Sequence, residues 1–88
     1  MAIDQDAPVT IGTSATIIFT AVALQTVVLQ ADTGNGAAVF IGGSAVTTAN
    51  GYELPAGEAL ALNMQPGDTV YGISAAGSDD VRILHNQG

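Results

Sequence analysis

The chain has no cysteine and no tryptophan, and its only firmly cationic side chain is Arg82. Without cysteine, neither a disulfide nor a cysteine-ligated zinc site can form. One histidine is too few for a histidine-rich metal site. A single arginine cannot displace the counterions of a nucleic acid or hold an anionic membrane. These absences predict no metal, no cofactor, no nucleic-acid partner and no membrane partner.

Charge of either sign is also scarce, since only 10% of the residues are charged and the net charge is −7. A typical domain carries about a quarter charged residues. The resulting neutral surface suits permanent contact with other proteins better than the life of a solitary soluble enzyme. The 88 residues form one small domain, which is marginally stable alone. We therefore expect oligomerisation, or docking on a larger surface, to add burial.

The first residues of the chain suggest an arm rather than a targeting signal. Residues 1–8 are acidic and lack the basic start of a secretory signal. They are polar and end at a proline, so we expect a flexible N-terminal arm over 1–8 and a single β-sandwich domain over 9–88. The apolar stretch 15–29 is interrupted by threonine and glutamine and is shorter than the roughly 20 residues of a membrane span. We expect a soluble protein made in a cytoplasm.

The rest of the chain is rich in valine, isoleucine and threonine, with turn signals at short intervals. This pattern predicts an all-β fold, a small antiparallel β-sandwich or jelly-roll-like barrel of roughly seven short strands. A helix competes over 15–30, but β-branched residues such as Ile17 and Ile18 disfavour it. We expect two strands here, over 15–21 and 23–30, with a bend near Val22. Consecutive apolar residues from Val27 to Leu29 predict a strand covered on both faces. A neighbouring subunit is one source of that cover.

Several residues capable of chemistry have a structural interpretation that outweighs the functional one. His85 as a catalytic base would need a nucleophile and an orienting acid, and the spacing to Ser74 and Asp80 does not support this arrangement. Asp79 and Asp80 lack the spacing of a calcium-binding loop and are more typical of a solvated turn. We predict no catalytic residue and no metal ligand here.

The same holds for the remaining carboxylates and glycines. Glu53 and Glu58 could act as a glycosidase pair, but such an enzyme needs aromatic platforms and the chain has only two tyrosines and two phenylalanines. The glycines at 34, 36, 42 and 43 fit neither the P-loop nor the dinucleotide fingerprint. Tyr52, just after the Asn50–Gly51 turn, is the best surface candidate, since tyrosine is favoured at interfaces. Burial of Tyr52 against its own sheet fits the sequence equally well. We predict that the protein is not an enzyme.

The segment 39–58 carries a family resemblance. Its sequence Val-Phe-Ile-Gly-Gly-Ser-Ala-Val-Thr-Thr-Ala-Asn-Gly-Tyr-Glu-Leu-Pro-Ala-Gly-Glu resembles a stretch of small virion proteins of tailed bacteriophages, of the capsid decoration (cement) or head-fibre type. Segments 68–75 and 80–84 resemble the two closing strands of that pattern, so the likeness covers roughly the last two thirds of the chain.

The resemblance implies a structural virion protein that binds the outer surface of an assembled capsid and stabilises it. Its partner would be the major capsid protein, and a homo-oligomer, with a trimer favoured, would form. The alternative is a fibre or tail-associated module that recognises host-surface glycans through Asn50 and Tyr52. The interface candidates are Ile3, Pro8, Val27, Leu29, Asn50 and Tyr52.

Overall fold

This computed structural model describes residues 3–86 of the chain. All of the regular secondary structure within these residues consists of β-strands. The strands are β1 (Ile3–Ile11), β2 (Thr16–Thr20), β3 (Gln25–Ala31), β4 (Val39–Gly42), β5 (Tyr52–Leu54), β6 (Ala59–Met64), β7 (Thr69–Ser74) and β8 (Asp79–Asn86). They form two four-stranded sheets, sheet A in the order β1-β8-β3-β6 and sheet B in the order β2-β7-β4-β5. Each sheet takes strands from both halves of the chain, as in a jelly roll. The prediction of a small all-β sandwich is confirmed.

The core lies between the two sheets, and strand β3 shows how the sequence builds it. Successive side chains of a strand point to opposite faces, so Val27 and Leu29 face inward and both are 0% exposed. Val28, between them, is half-buried on the outer face of sheet A. Because Val27 and Leu29 are fully enclosed by their own chain, their expected place at a subunit interface is wrong. They are core residues.

The N-terminal segment is a strand and not a free arm. Ile3 pairs with Asn86 and Ile11 pairs with Asp79, which makes β1 the edge strand of sheet A beside β8. The register shifts between Asp6 and Val9, at Pro8, because proline has no N–H to give to the ladder. This corrects the expected arm over residues 3–8. Its first two residues lie outside the described part of the chain.

Strand β5 begins directly after Gly51, and this glycine explains how the chain enters the strand. A Cβ at Gly51 would lie 2.7 Å from Cβ of Phe40 and 2.8 Å from Cγ2 of Val46. No real side chain tolerates such distances, so only glycine lets the loop 43–51 fold back tightly on β4. Leu54 then fills the core at 1% exposure.

The loops divide between the two ends of the sandwich, because successive antiparallel strands run its length in opposite directions. We call the end with loops 21–24, 43–51 and 65–68 the apolar end, and the end with loops 12–15, 32–38, 55–58 and 75–78 the polar end. At the apolar end, Ala21 N donates to Asp68 O and Gly67 N to Ala21 O, each at 2.9 Å. At the polar end, Gly57 N donates to Ala31 O at 2.8 Å.

Candidate interaction surface

The apolar end exposes three large apolar side chains, although exposing apolar surface to water is unfavourable. Val22 is 83% exposed, Leu24 70% and Tyr52 61%. Single exposed apolar residues are common on proteins, but a group of them at one place marks an interaction surface. We call residues 22–24 the tip.

The tip is held in place by the buried side chain of Gln25, which is 4% exposed. Its Oε1 accepts a hydrogen bond from Val22 N at 3.1 Å, and its Nε2 donates to Asn86 O at 2.8 Å. A buried polar side chain with both of its ends satisfied fixes local geometry. The tip is therefore presented in a defined conformation.

A groove of about 500 Å³ lies beside the tip, between the two sheets. Its walls include Leu60, Leu62 and Met64 of β6, Ile41 of β4, and Tyr52. Strand β6, which has six residues, is an edge strand of sheet A, and β5, an edge strand of sheet B, has only three. Leu60 and Leu62 are only partly buried while packing against the core.

Asp68 is the one charged residue among the described residues that line the groove. Its Oδ2 accepts a hydrogen bond from Gln65 N at 2.9 Å, which closes the turn between β6 and β7. The carboxylate is thus engaged by its own chain. The groove offers a ligand mainly apolar contact.

The predicted candidates Asn50 and Tyr52 lie at the apolar end with different roles. Asn50 Oδ1 accepts from Thr47 N at 2.7 Å, so this carboxamide oxygen holds its own loop. The ring of Tyr52 borders the groove. The exposure of Tyr52, 61%, decides between the two places that the sequence left open for it, and no signal in the sequence revealed the groove.

The candidates Ile3 and Pro8 lie on the exposed edge strand β1, away from the groove. Ile3 is 64% exposed and borders a shallow depression on sheet A with Val28 and Leu84. Pro8 is exposed at the register shift. The six interface candidates predicted from the sequence therefore do not form one surface, and only Asn50 and Tyr52 lie near the groove.

The polar end satisfies its polar groups internally. Asp79 is 2% exposed and accepts hydrogen bonds from Ser74 Oγ and, at 3.1 Å, from Gly36 N. Asn35 bonds both backbone groups of Asp80, with Nδ2 donating to its carbonyl at 3.0 Å and Oδ1 accepting from its N–H at 2.8 Å. No group of three or more histidines and acids that could hold a metal occurs within residues 3–86. The two aspartates tie loops together.

His85 lies near the other end of β8, far along the strand from Ser74 and Asp80, so the structure does not bring these three together. Its side chain is 12% exposed, with Nε2 3.3 Å from Asp6 Oδ1 and its ring centroid 4.7 Å from that of Phe19. The Asn86 carbonyl, 3.0 Å from Nδ1, raises the pKa of His85, and Asp6 adds to that effect. The residue joins β1 to β8.

Sequence reasoning placed a bend near Val22, which the structure confirms between β2 and β3, but it did not name Val22 or Leu24 as interface candidates. Both lie in a continuous apolar run, which gives no sign that their side chains are exposed. A further signal was Gln25, a polar residue directly after the tip, which here begins β3 on its inner face.

Comparison with protein families and with curated proteins finds no match for this chain. Among solved structures, the chain is similar to a protein of the Bacillus endospore appendages, described as a family of disulfide-linked pili. The two share 21% sequence identity and a TM-score of 0.51, over 94% of this chain and 86% of that chain. At this identity the likeness shows a shared fold. In residues 3–86, no helix has the length and apolarity to cross a membrane.

Proposed function

We propose that this protein is a non-enzymatic structural subunit that docks through its apolar end. In the most specific form of the proposal it decorates the outer surface of an assembled tailed-phage capsid. The observation that carries the proposal is the exposure of Val22, Leu24 and Tyr52 beside an apolar groove. Contact with a protein surface removes these side chains from water, at about 25 cal/mol per Å² of apolar area.

The Bacillus neighbour supports the general part of the proposal. That protein belongs to pili, so a sandwich of this architecture serves elsewhere as a building unit of a protein polymer. The present chain has no cysteine, so disulfides cannot link its subunits. Its assembly contacts are therefore non-covalent.

The sequence resemblance over 39–58 supports the specific part. It favours a virion protein whose partner is the major capsid protein. A protein that binds only the assembled lattice stabilises that lattice by mass action. The net charge of −7 favours the outer surface, because acidic groups are repelled by the packaged nucleic acid.

Binding of host-surface glycans is the second candidate, and one observation favours it. Tyr52 presents an aromatic ring at 61% exposure on the border of a groove that also carries Asp68 and Thr69. An aromatic ring with a few polar groups in a concave site is typical of small-ligand recognition. A fibre or tail protein would use such a site.

Co-sedimentation with capsids tests the proposal. The purified protein is mixed with assembled capsids that lack it and, separately, with dissociated major capsid protein. We expect it to sediment with the assembled capsids, and the variant Val22→Ser/Leu24→Ser to lose this binding. Ile17→Ser is the matched control, because Ile17 is also an exposed apolar residue, at 54%. This variant should keep its binding to the capsids.

Absence of binding to assembled capsids overturns the capsid proposal. A glycan array separates the second candidate, since retention of glycans by the wild type and loss of that retention in Tyr52→Ala would favour it instead.

A further inference from the structure

We infer that two copies of this chain associate by antiparallel pairing of their β6 strands, edge to edge. The inference goes beyond the proposed function, because it assigns a contact between copies that lies on the main chain of β6 and not on the tip. It does not require that the protein bind a capsid.

Three of the four edge strands carry features that discourage pairing with another chain. An edge strand offers unpaired N–H and C=O groups to any other strand, and proteins protect it with charge, proline, a bulge or a short length. Strand β1 has Pro8 and a register shift, and β2 has a register shift between Ile17 and Phe19. Strand β5 has only three residues. These three edges are therefore protected.

Strand β6 has none of these protections. Its six residues, Ala59–Met64, include no proline, no glycine and no charged side chain. Its register with β3 is unbroken from Met64, opposite Gln25, to Ala59, opposite Gln30. Within residues 3–86 it ends sheet A, with β3 on one side and no strand on the other. The open edge of β6 is thus a template for one more strand.

The main-chain groups of alternate residues of β6 point to this open edge. Ala31 N donates to Glu58 O at 3.0 Å, which fixes the alternation of the ladder between β3 and β6. Bonded pairs recur at every second residue of an antiparallel ladder, so the even-numbered residues of β6 bond to β3. The odd-numbered residues, Ala59, Ala61 and Asn63, direct their N–H and C=O groups outward.

A second copy of β6 offers the matching groups when a two-fold axis passes beside Ala61. In that register, Ala61 lies opposite Ala61 of the other copy, and Ala59 lies opposite Asn63 of the other copy. Each such pair exchanges two hydrogen bonds. Every outward N–H and C=O group of the strand then has a partner, so the edge is complementary to itself.

The adjacent registers are blocked by hydrogen bonds that the chain already makes. A shift of the pairing by two residues in one direction would need Gln65 N, which donates to Asp68 Oδ2 at 2.9 Å. A shift in the other direction would need Gly57 N, which donates to Ala31 O at 2.8 Å. The groups at the two ends of β6 therefore select the register centred on Ala61.

The side chains of this register are compatible as well. Directly opposite residues of an antiparallel pair lie on the same face of the sheet. Leu60 lies opposite Leu62 of the other copy on the inner face, where both are only partly buried in one copy. Glu58 lies opposite Met64 and not opposite another carboxylate. Because the added strand lies in the plane of sheet A, it extends a wall of the groove and does not fill it.

The pairing predicts a closed dimer. A contact in which the same strand of each copy meets about a two-fold axis is complete with two copies. Sheet A of one copy would continue into sheet A of the other, and the combined sheet would end at β1 on both sides. Since β1 is a protected edge, the sheet does not grow further. The inference thus assigns a dimer, where the family resemblance favours a trimer.

The absence of cysteine from the natural chain allows a cross-linking test with one substitution. Ala61→Cys places two thiols opposite each other at the axis, where the Cα atoms of a bonded pair lie about 5.5 Å apart, a separation that a disulfide spans. Under mild oxidation, its copies should be linked roughly tenfold faster than those of Ala75→Cys, because pairing raises the effective concentration of the thiols. Ala75, also an exposed alanine, lies in a loop at the polar end and is the matched control.

A proline on the open edge gives a second test. Ala61→Pro removes an N–H that points away from β3, so the edge is blocked while the ladder with β3 is kept. Light scattering should give the wild type and Ala61→Val a mass of twice 8.7 kDa and Ala61→Pro the monomer mass. The cysteine measurement covers the case in which proline disturbs folding.

Equal linking rates for the two cysteine variants, or a wild type that stays monomeric at every concentration, would overturn the inference. A folded Ala61→Pro variant that remains dimeric would do the same. Dimers that fail to bind capsids would reject the capsid proposal alone. Monomers that bind capsids would reject the β6 contact alone.

Discussion

The loops at the two ends of the sandwich differ in how their side chains are arranged, because one end buries and bonds its polar groups and the other exposes apolar groups. At the polar end, Asp79 is 2% exposed and bonded to neighbouring loops. At the apolar end, Val22 and Leu24 are left in water while Gln25 beneath them is buried. At the polar end, Asp79 finds its hydrogen-bond partners within the chain. At the apolar end, the exposed side chains are held in a fixed conformation in which a partner could bury them.

This difference implies that, in a chain of 88 residues, the residues that determine folding stability are largely distinct from those available for association. Substitutions at the polar end and in the core should change folding, because they remove internal partners. Substitutions of the exposed tip should leave folding nearly unchanged and alter association, because the tip has few internal contacts to lose.

The largest effect is expected from two leucines five positions apart. Leu29→Ala empties a 0% exposed site and should lower the free energy of unfolding by about 2 to 5 kcal/mol. Leu24→Ala, at 70% exposure, should change it by less than about 0.5 kcal/mol. Urea denaturation of both variants, below the concentration at which copies associate, measures the difference. Equal losses would contradict the assignment of Leu29 to the core.

Two aspartates compare the ends directly. Asp79→Ala leaves Ser74 Oγ and Gly36 N without their partner and should cost about 1 to 3 kcal/mol. Asp68→Ala removes one hydrogen bond at an exposed turn and should cost about 1 kcal/mol or less. Thermal denaturation of the two variants shows which one loses more stability. A greater loss of stability in Asp68→Ala than in Asp79→Ala would contradict the difference that we assign to the two ends.

Two glycines test whether the loop 43–51 has a fixed shape. An added Cβ at Gly51 would lie 2.7 Å from Cβ of Phe40, whereas at Gly43 it would meet nothing within 4 Å. Gly51→Ala should therefore destabilise the protein by about 1 to 3 kcal/mol, as overpacking does. Gly43→Ala is the matched control. Similar melting temperatures for both variants would indicate a loosely held loop.

The smallest effect concerns His85 and the attachment of β1. The pKa of His85 is raised above its ordinary value of 6.5, and Asp4 and Asp6 face it from β1, with neutral Gln25 and Phe19 on the other sides. The stabilisation from protonated His85 is present below pH 6.5 and is lost as the pH rises through the raised pKa.

His85→Gln should remove that dependence, so wild type and variant should differ more at pH 5.5 than at pH 8. The change is expected to stay below about 1 kcal/mol, because Asp6 is largely exposed. Parallel urea titrations at the two pH values measure it, and a larger difference at pH 8 would reverse the sign that we assign.

The many β-branched residues and the closely spaced turn signals predicted the all-β fold, because such residues favour strands. Within β6, Leu60, Leu62 and Met64 point inward, since alternate residues of a strand lie on one face. The pairing of β1 was not predictable, since residues 3–8 are polar and their stability comes from the backbone of β8. The groove was also hidden, because its walls come from four strands, β4 to β7, and the sequence alone does not show that these strands meet around a groove.

Co-sedimentation with assembled capsids tests most directly whether the apolar end is a docking surface. The account predicts that the wild type sediments with the capsids and that Val22→Ser/Leu24→Ser stays in the supernatant, with an unchanged melting temperature at low concentration. A wild type that does not sediment, or a variant that does, would contradict it.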